Sequence, residues 1–518
     1  LRTPKVLVIG LDGATFDLLE PMMKEGRLPN LSEIADQGSA GRMRSTIPPA
    51  TLPAWISMAS GRNPGKLGVY DFLYLDRDEM KLHVANTSKL HGMYVWDYLG
   101  RAGYRVGVMN VPGTYPPYRV NGFIVTGMLT PSRARCTYPP GLKEELDRAV
   151  DGYELDVTQW KYFDWRRFLE DAYRVLDKRR RAAEWLMERF SCDFYMFVFT
   201  CTDRVQHFLW HRREVVEEFW EHVDEAVGRL VKKHGEGDVF IVSDHGFGPL
   251  RRTFFTNEWL KRRRLLRMAK TRRGLKAAAG GLLEYIYYHL GSTRPIQAAM
   301  SALEKYMGFT WIWKTTFGHI FSEDLAKRVD WSETVAFSCP HSPHFGHVYL
   351  NKKGEYGRVL EEFKKLSSEG VNVRFFRREE LYNGPYVEKA PEIIFCIDDF
   401  ECEVDSRLTG RIFMKGSLDS RWSGTHKLYG IFMASGPHVR RGVRVEASIY
   451  DVTPTVLRLF GQPVPGDMDG RVLTEVLEAE GSEAGEGAEE REGGVSGGLS
   501  EEEEAEIIER LRRLGYLG

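Results

Sequence analysis

The sequence predicts an α/β protein: a mostly parallel β-sheet sandwiched by helices, interrupted by a helical cap insertion. Three observations carry that prediction. Short apolar runs rich in β-branched and aromatic residues alternate with amphipathic segments of helical period. Several of those runs end in Asp or Asp-His, the place where ligands gather beyond the carboxyl ends of parallel strands. The composition, 42% hydrophobic with 12% aromatic, is that of a chain able to bury a large core rather than remain disordered.

The elements follow in order. Residues 5–11 (KVLVIGL) read as a buried parallel strand that stops at Asp12-Gly13, and residues 15–24 as a helix ended by Gly26. A helix over 94–101 precedes a strand over 105–110, and a helix over 180–190 precedes a strand over 194–200. A long amphipathic helix over 214–233 precedes the strand 238–243. The sheet pattern returns at 347–350, 392–397 and 430–434, and residues 448–460 suit a late helix.

These runs divide the chain into a first part of the catalytic core (1–258), a helical basic cap insertion (259–335) and a second part of the core (336–477). A Gly/Glu-rich linker (478–500), too poor in apolar residues to fold, and a C-terminal helix (501–518) follow. That helix begins acidic and ends basic, as the helix dipole favours, and nothing beyond residue 478 is expected to carry chemistry.

Charge and cysteine content exclude several classes. With 72 Lys+Arg against 73 Asp+Glu, no net field draws the chain to a nucleic-acid duplex. The basic block at 261–276 would suit weak contact with an anionic substrate or lipid surface, though a solvated cap helix explains it as well. Six scattered cysteines with no C-x-x-C pair suggest neither a disulfide framework nor a zinc knot. No run reaches the ~18 apolar residues of a membrane span, and no signal-type N-terminal region is present. A soluble, cytoplasmic protein is the expectation.

The chemistry gathers at strand ends. Asp12 follows the first strand. Asp203 and His207 follow the run at 194–201 and, four residues apart, face the same way on a helix. Asp244 and His245 follow the run at 238–243, and His426 precedes the strand at 430–434. Taken singly, an Asp before Gly is a turn residue, a D-x-x-x-H pair a helix-face contact, and a His after Gly-Thr a loop residue. Together, three carboxylates and three imidazoles can hold two divalent cations of the zinc or manganese type. A pair of such ions ~4 Å apart clamps the attacking and leaving oxygens of an in-line phosphoryl displacement. Thr51, in the stretch STIPPATLPAWIS at 45–57, stands where a helix begins. It reads either as an N-cap or as a metal-activated nucleophile, and the accompanying acids and imidazoles favour the second.

The chain also resembles the alkaline phosphatase superfamily, and within it the type I phosphodiesterase/nucleotide pyrophosphatase branch, including a subgroup of phosphohydrolases or phosphomutases. The carrying motifs are VIGLDG (8–13), PPATLPAWISMASGRNPGKLGVYDF (48–72), TDRVQH (202–207), SDHGF (243–247), SGTHKLYGIFMASGP (423–437) and YDVTPTVLRLFGQPVPGDMDG (450–470). The resemblance implies an alkaline-phosphatase-like fold and a metal-dependent phosphoric ester hydrolase. One ion would be held by Asp203, His207 and His426. The other would be held by Asp12, Asp244 and His245, with Thr51 reaching toward it as nucleophile. It further implies a phosphothreonine intermediate and two divalent ions, zinc ahead of manganese.

Family members acting on nucleotide diesters often carry Asn three residues after the nucleophile, where this chain has Ala54. The substrate is therefore expected to be a small phosphate ester of unassigned leaving group, diesters ahead of monoesters. A phosphomutase or phosphotransferase is the nearest alternative. A sulfatase fits poorly because no cysteine lies in a C-x-P/A-x-R context, and a decayed binding protein fits poorly because no ligand is missing. The histidines of CPHSPHFGH (339–347) could touch substrate or a further metal, but a loop entering the next strand explains them and is the expectation; the aromatics Trp55, Tyr70 and Phe72 read either as lining a leaving-group pocket or as core.

Overall fold

The computed structural model describes residues 4–86, 90–132, 134–157, 164–269, 328–417, 421–478, 499–514 and 516–517. Most of the proposed cap (270–327), the end of the basic block and most of the proposed linker (479–498) lie outside the described residues.

The centre is a ten-stranded sheet. Its strands in chain order are β1 (Val6–Leu11), β2 (Ser39–Arg44), β3 (Val106–Met109), β4 (Gly122–Val125), β5 (Thr137–Tyr138), β6 (Phe194–Phe199) and β7 (Asp238–Val242). Late in the chain β10 (Tyr429–Ser435), β11 (Val443–Arg444) and β12 (Ala447–Ser448) complete it. The spatial order is β11-β2-β10-β7-β1-β6-β3-β4-β5, with β12 also pairing β2. From β7 to β4 all pairings are parallel, whereas β10 runs antiparallel to both β7 and β2. Strands β1, β6 and β7 are buried along their whole lengths, which is why they read as unbroken apolar runs rather than alternating ones.

The helices follow the alternation expected, with shifted ends. Helix α1 (Phe16–Lys24) is capped by the Thr15 side chain, which accepts the Asp17 N–H. Helix α2 (Thr51–Ser60) is buried at every position and ends at Gly61 in the left-handed region. Helix α3 (Trp165–Phe190) begins well before the expected 180, its apolar face extending back through Val175, Ala172 and Phe168. Helix α4 (Cys201–Leu209) follows β6 directly, and α5 (Arg213–His234) packs against α3. The expected helix at 448–460 resolves into a 3-10 turn, Ile449–Asp451, and a helix, Val452–Leu459.

A second, antiparallel sheet joins Ala336–Phe337, Gly346–Leu350, Ile393–Ile397 and Val373–Arg377 around its own apolar core. All six cysteines are buried and free. Among the described residues, no helix is long and apolar enough to cross a membrane.

Candidate metal centre

Three neighbouring strands deliver the acids. In the order β7-β1-β6 the register pairs Gly10 with both Val198 and Val242, so the three carboxyl ends finish side by side. Asp12 leaves β1, Asp244 follows β7 and Asp203 sits in the first turn of α4 after β6. Gly13 lets the chain turn at once, with φ of 71°, and a Cβ there would stand 2.9 Å from the Phe247 ring. His426 arrives differently. It lies on β9 (Gly424–Lys427), which pairs antiparallel with β8 (Gly246–Pro249), setting His426 opposite Phe247 and next to the His245 loop.

All six residues expected to hold ions come together, and Thr51 joins them. Asp203 Oδ1 lies 3.2 Å from both His207 Nε2 and His426 Nε2. His245 Nε2 lies 3.1 Å from Asp244 Oδ2, 3.5 Å from Asp12 Oδ1 and 3.3 Å from Thr51 Oγ1. None of these side chains is more than 1% exposed. Thr51 is the first residue of α2, with Ala50 in the N-cap position, so the capping role open to it in the sequence is not the one it takes.

The hydrogen bonds show what the cluster is built to hold. Each carboxylate has one oxygen occupied by a donor: Asp12 Oδ2 by the Trp55 indole (3.3 Å), Asp244 Oδ1 by the Gly13 N–H (3.2 Å) and Asp203 Oδ2 by Arg204 (2.7 Å). The other oxygen of each is buried without a hydrogen-bond donor. The imidazoles repeat the pattern. His207, His245 and His426 place Nδ1 at 2.9, 3.0 and 2.8 Å from the carbonyls of Gly424, Gly246 and Pro49. A carbonyl only accepts, so Nδ1 carries the proton and Nε2 presents a lone pair. His207 Nε2 and His426 Nε2 then face each other at 3.0 Å as two acceptors. Acceptors crowded at hydrogen-bond distance in a buried site repel unless a cation lies among them. The donor set therefore fits divalent metal, and the combinations able to hold an ion include Asp12-Asp244-His245 and Asp203-His245-His426.

The titration behaviour has the same cause. Burial, then the neighbouring Asp244 charge, pushes Asp12 well above the usual carboxylate range, and burial with the Asp203 charge does the same to Asp244. Burial lowers His426 to about 4 and drives His245 well below the ordinary histidine value. Neutral imidazoles are the form that binds metal.

His344 and Tyr516, both outside the expected set, also reach the cluster. His344, from the CPHSPHFGH stretch, stacks on His426 with ring centroids 3.4 Å apart; its Nδ1 lies 3.1 Å from Thr425 Oγ1, and its Nε2 is buried without a partner. His207, His344 and His426 together form a third group able to hold an ion. Three histidines within nine residues were the available signal. Tyr516, in the tail beyond residue 478 expected to carry no chemistry, places its hydroxyl on Asp203. The aromatics Trp55, Tyr70 and Phe72 are all buried, and Trp55 also serves Asp12.

Comparison with known proteins agrees with the geometry. Residues 6–399 match the family described as type I phosphodiesterase / nucleotide pyrophosphatase. No curated protein compared with the sequence matches it. Among solved structures, an inactive threonine-to-alanine variant of murine ectonucleotide pyrophosphatase/phosphodiesterase 5 in complex with AMP aligns at a TM-score of 0.52 and 13% identity. The alignment covers 92% of this chain and 100% of that one. Phosphonoacetate hydrolase from Sinorhizobium meliloti, in complex with phosphonoformate, aligns at 0.55 and 15%, covering 87% and 94%. These likenesses show a shared fold. With the match spanning most of its length, the chain belongs to the type I phosphodiesterase/nucleotide pyrophosphatase family, whose members are metal-dependent phosphoric ester hydrolases.

Proposed function

We propose that this protein is a two-metal phosphodiesterase acting on a small phosphate ester, with Thr51 as the nucleophile. The observation that carries the reading is the convergence of Thr51 with three half-satisfied carboxylates and three imidazoles whose lone pairs point inward. Asp203, His207 and His426 would hold one ion; Asp12, Asp244 and His245 would hold the other, beside Thr51. Zinc suits the mixed imidazole and carboxylate set best. When bound, the pair supplies Lewis acidity that lowers the pKa of a hydroxyl and neutralises phosphoryl oxygens.

The chain's own part begins with orientation. Thr51 opens helix α2, whose N-terminal end favours an anionic phosphoryl oxygen. Its Oγ1, once deprotonated, attacks phosphorus and forms a phosphothreonine ester while the P–O bond to the leaving alcohol breaks. Water then attacks the same phosphorus, releasing the phosphorylated product and restoring the Thr51 hydroxyl. The complete burial of the cluster excludes bulk solvent and strengthens each electrostatic contact.

The test is Thr51→Ala in zinc-reconstituted protein, assayed on bis-aryl phosphate, mono-aryl phosphate and phosphonoacetate. Loss of turnover on the diester, with two zinc equivalents retained, is the expected result. An unchanged diester rate would remove Thr51 from the mechanism, and a preference for either other substrate would reassign the substrate class.

A further inference from the structure

The last stretch of the chain is built into the centre. Helix α6 (Glu501–Leu514) lays Ile507, Leu511 and Leu514, spaced to share one face, against the core, each no more than 2% exposed. They share a crevice with Met128, Leu129 and Leu155. Polar contacts fix the helix to two separate segments, one around residue 83 and one at residues 130–132. Glu504 Oε2 lies 3.2 Å from His83 Nδ1, Glu506 accepts from the Ser132 N–H (2.8 Å) and hydroxyl (2.6 Å), and Arg510 donates to the Thr130 carbonyl (2.7 Å).

This docking delivers Tyr516, which is fully buried. Its ring stands edge-on to His207, with centroids 5.6 Å apart, and beneath the Arg204 guanidinium at 4.6 Å. Its hydroxyl donates to Asp203 Oδ2 and accepts from Arg204 Nη1, which also donates to Asp203 Oδ2 at 2.7 Å. Asp156 holds Arg204 from the far side at 2.9 Å. The two oxygens of Asp203 are thus distinguished: Oδ2 is gripped, and Oδ1 faces His207 and His426 without a donor.

We propose that Tyr516 is a positioning residue of the metal centre: the C-terminal helix carries it in, and its hydroxyl, with Arg204, fixes Asp203 so that Oδ1 is presented alongside the Nε2 atoms of His207 and His426. The inference rests on the metal reading given above and deepens it. The C-terminal segment becomes part of one ion site while leaving the Asp12-Asp244-His245 side untouched. Outer partners of metal-binding carboxylates and imidazoles typically change affinity 10- to 100-fold.

The experiment uses the full-length chain and zinc ions alone. Tyr516→Phe keeps the ring and removes the hydroxyl, and competition against a chromophoric chelator reads the affinity of each equivalent. Wild type should bind two equivalents, and Tyr516→Phe should weaken one of them about ten-fold or more while the other is unchanged. In an Asp203→Ala background the same substitution should have no further effect on the remaining equivalent. Wild-type affinity for both equivalents in Tyr516→Phe, or equal weakening of both, would overturn the proposal while leaving the metal reading standing. Failure of wild type to bind two equivalents would overturn both.

Discussion

Gly10→Ala tests whether packing beneath the sheet sets the metal centre. Gly10 lies in β1 between Val198 of β6 and Val242 of β7, with the Trp55 indole directly over it. A Cβ there would stand 2.8 Å from Trp55 Cζ3 and 2.9 Å from Val198 Cγ2, and nearer still to Trp55 Cη2. Ordinary contact needs ~3.5 Å, so the rigid indole would have to retreat by about 0.7 Å or more. Its six-membered edge cannot move that far without carrying Nε1 along, and the bond from Nε1 to Asp12 Oδ2 is already 3.3 Å long. Overpacking of this kind costs about 1–3 kcal/mol. Urea unfolding of the metal-free variant should show that loss, and zinc competition should show roughly ten-fold weakening of one equivalent as Asp12 loses its outer donor. Adding Trp55→Phe, which shortens the side chain over Gly10, should make the pair less destabilised than the sum of the single changes. A Gly10→Ala protein that unfolds at the wild-type midpoint and binds both equivalents normally would show that the missing Cβ does not set the indole.

Two further predictions concern charge in the buried interior. The cluster confines three fully buried carboxylates, so zinc should stabilise the fold: at 100 times the dissociation constant, each site adds about 2.7 kcal/mol. Identical melting of chelated and zinc-loaded protein would contradict the placement of ions among those acids. Away from the site, burial and then the Asp405 charge raise Glu403 to about 7, and it accepts from the Thr253 hydroxyl at 2.8 Å. Its folded-state value lies above the unfolded ~4.3, so its stability contribution is complete below about pH 4 and is lost as pH rises through about 7, up to roughly 4 kcal/mol. Glu403→Gln should flatten that decline in urea titrations at pH 5, 6 and 8; a parallel decline in wild type and variant would contradict the assignment.

What could be read in the sequence depended on how locally each feature was encoded. Strands β1, β6 and β7 announce themselves because burial on both faces demands unbroken apolar runs, and Asp12 and Asp244 follow immediately after two of them. His207 is fixed by its helical spacing from Asp203. The early part of α3 was harder to see, because between Trp165 and Arg179 its narrow apolar face is crowded by charged neighbours such as Arg166, Arg167, Glu170 and Arg174. His344 belongs to the second sheet's loop, and only the tertiary arrangement sets it on His426. Tyr516 carries no local signal at all: residues 507, 511 and 514 describe an amphipathic helix without saying where it docks.

The deeper reason is that donor identity and donor direction are encoded differently. Sequence supplies an imidazole or a carboxylate, but which atom it offers is decided by the partner of its other atom. For the three expected histidines that partner is a backbone carbonyl, of Gly424, Gly246 or Pro49, and every residue except in its geometry has the same carbonyl. No motif spells such a contact. For the carboxylates the partners are a tryptophan 43 residues away, a glycine N–H 231 away, and a tyrosine 313 away together with an arginine next in sequence. Of these only Arg204 lies inside the motif that names its acid. Aim is therefore a property of the assembled sheet and its attached tail, which makes substitutions at Gly10 and Tyr516, neither of them a metal-ligand candidate, the more searching tests of how the centre works.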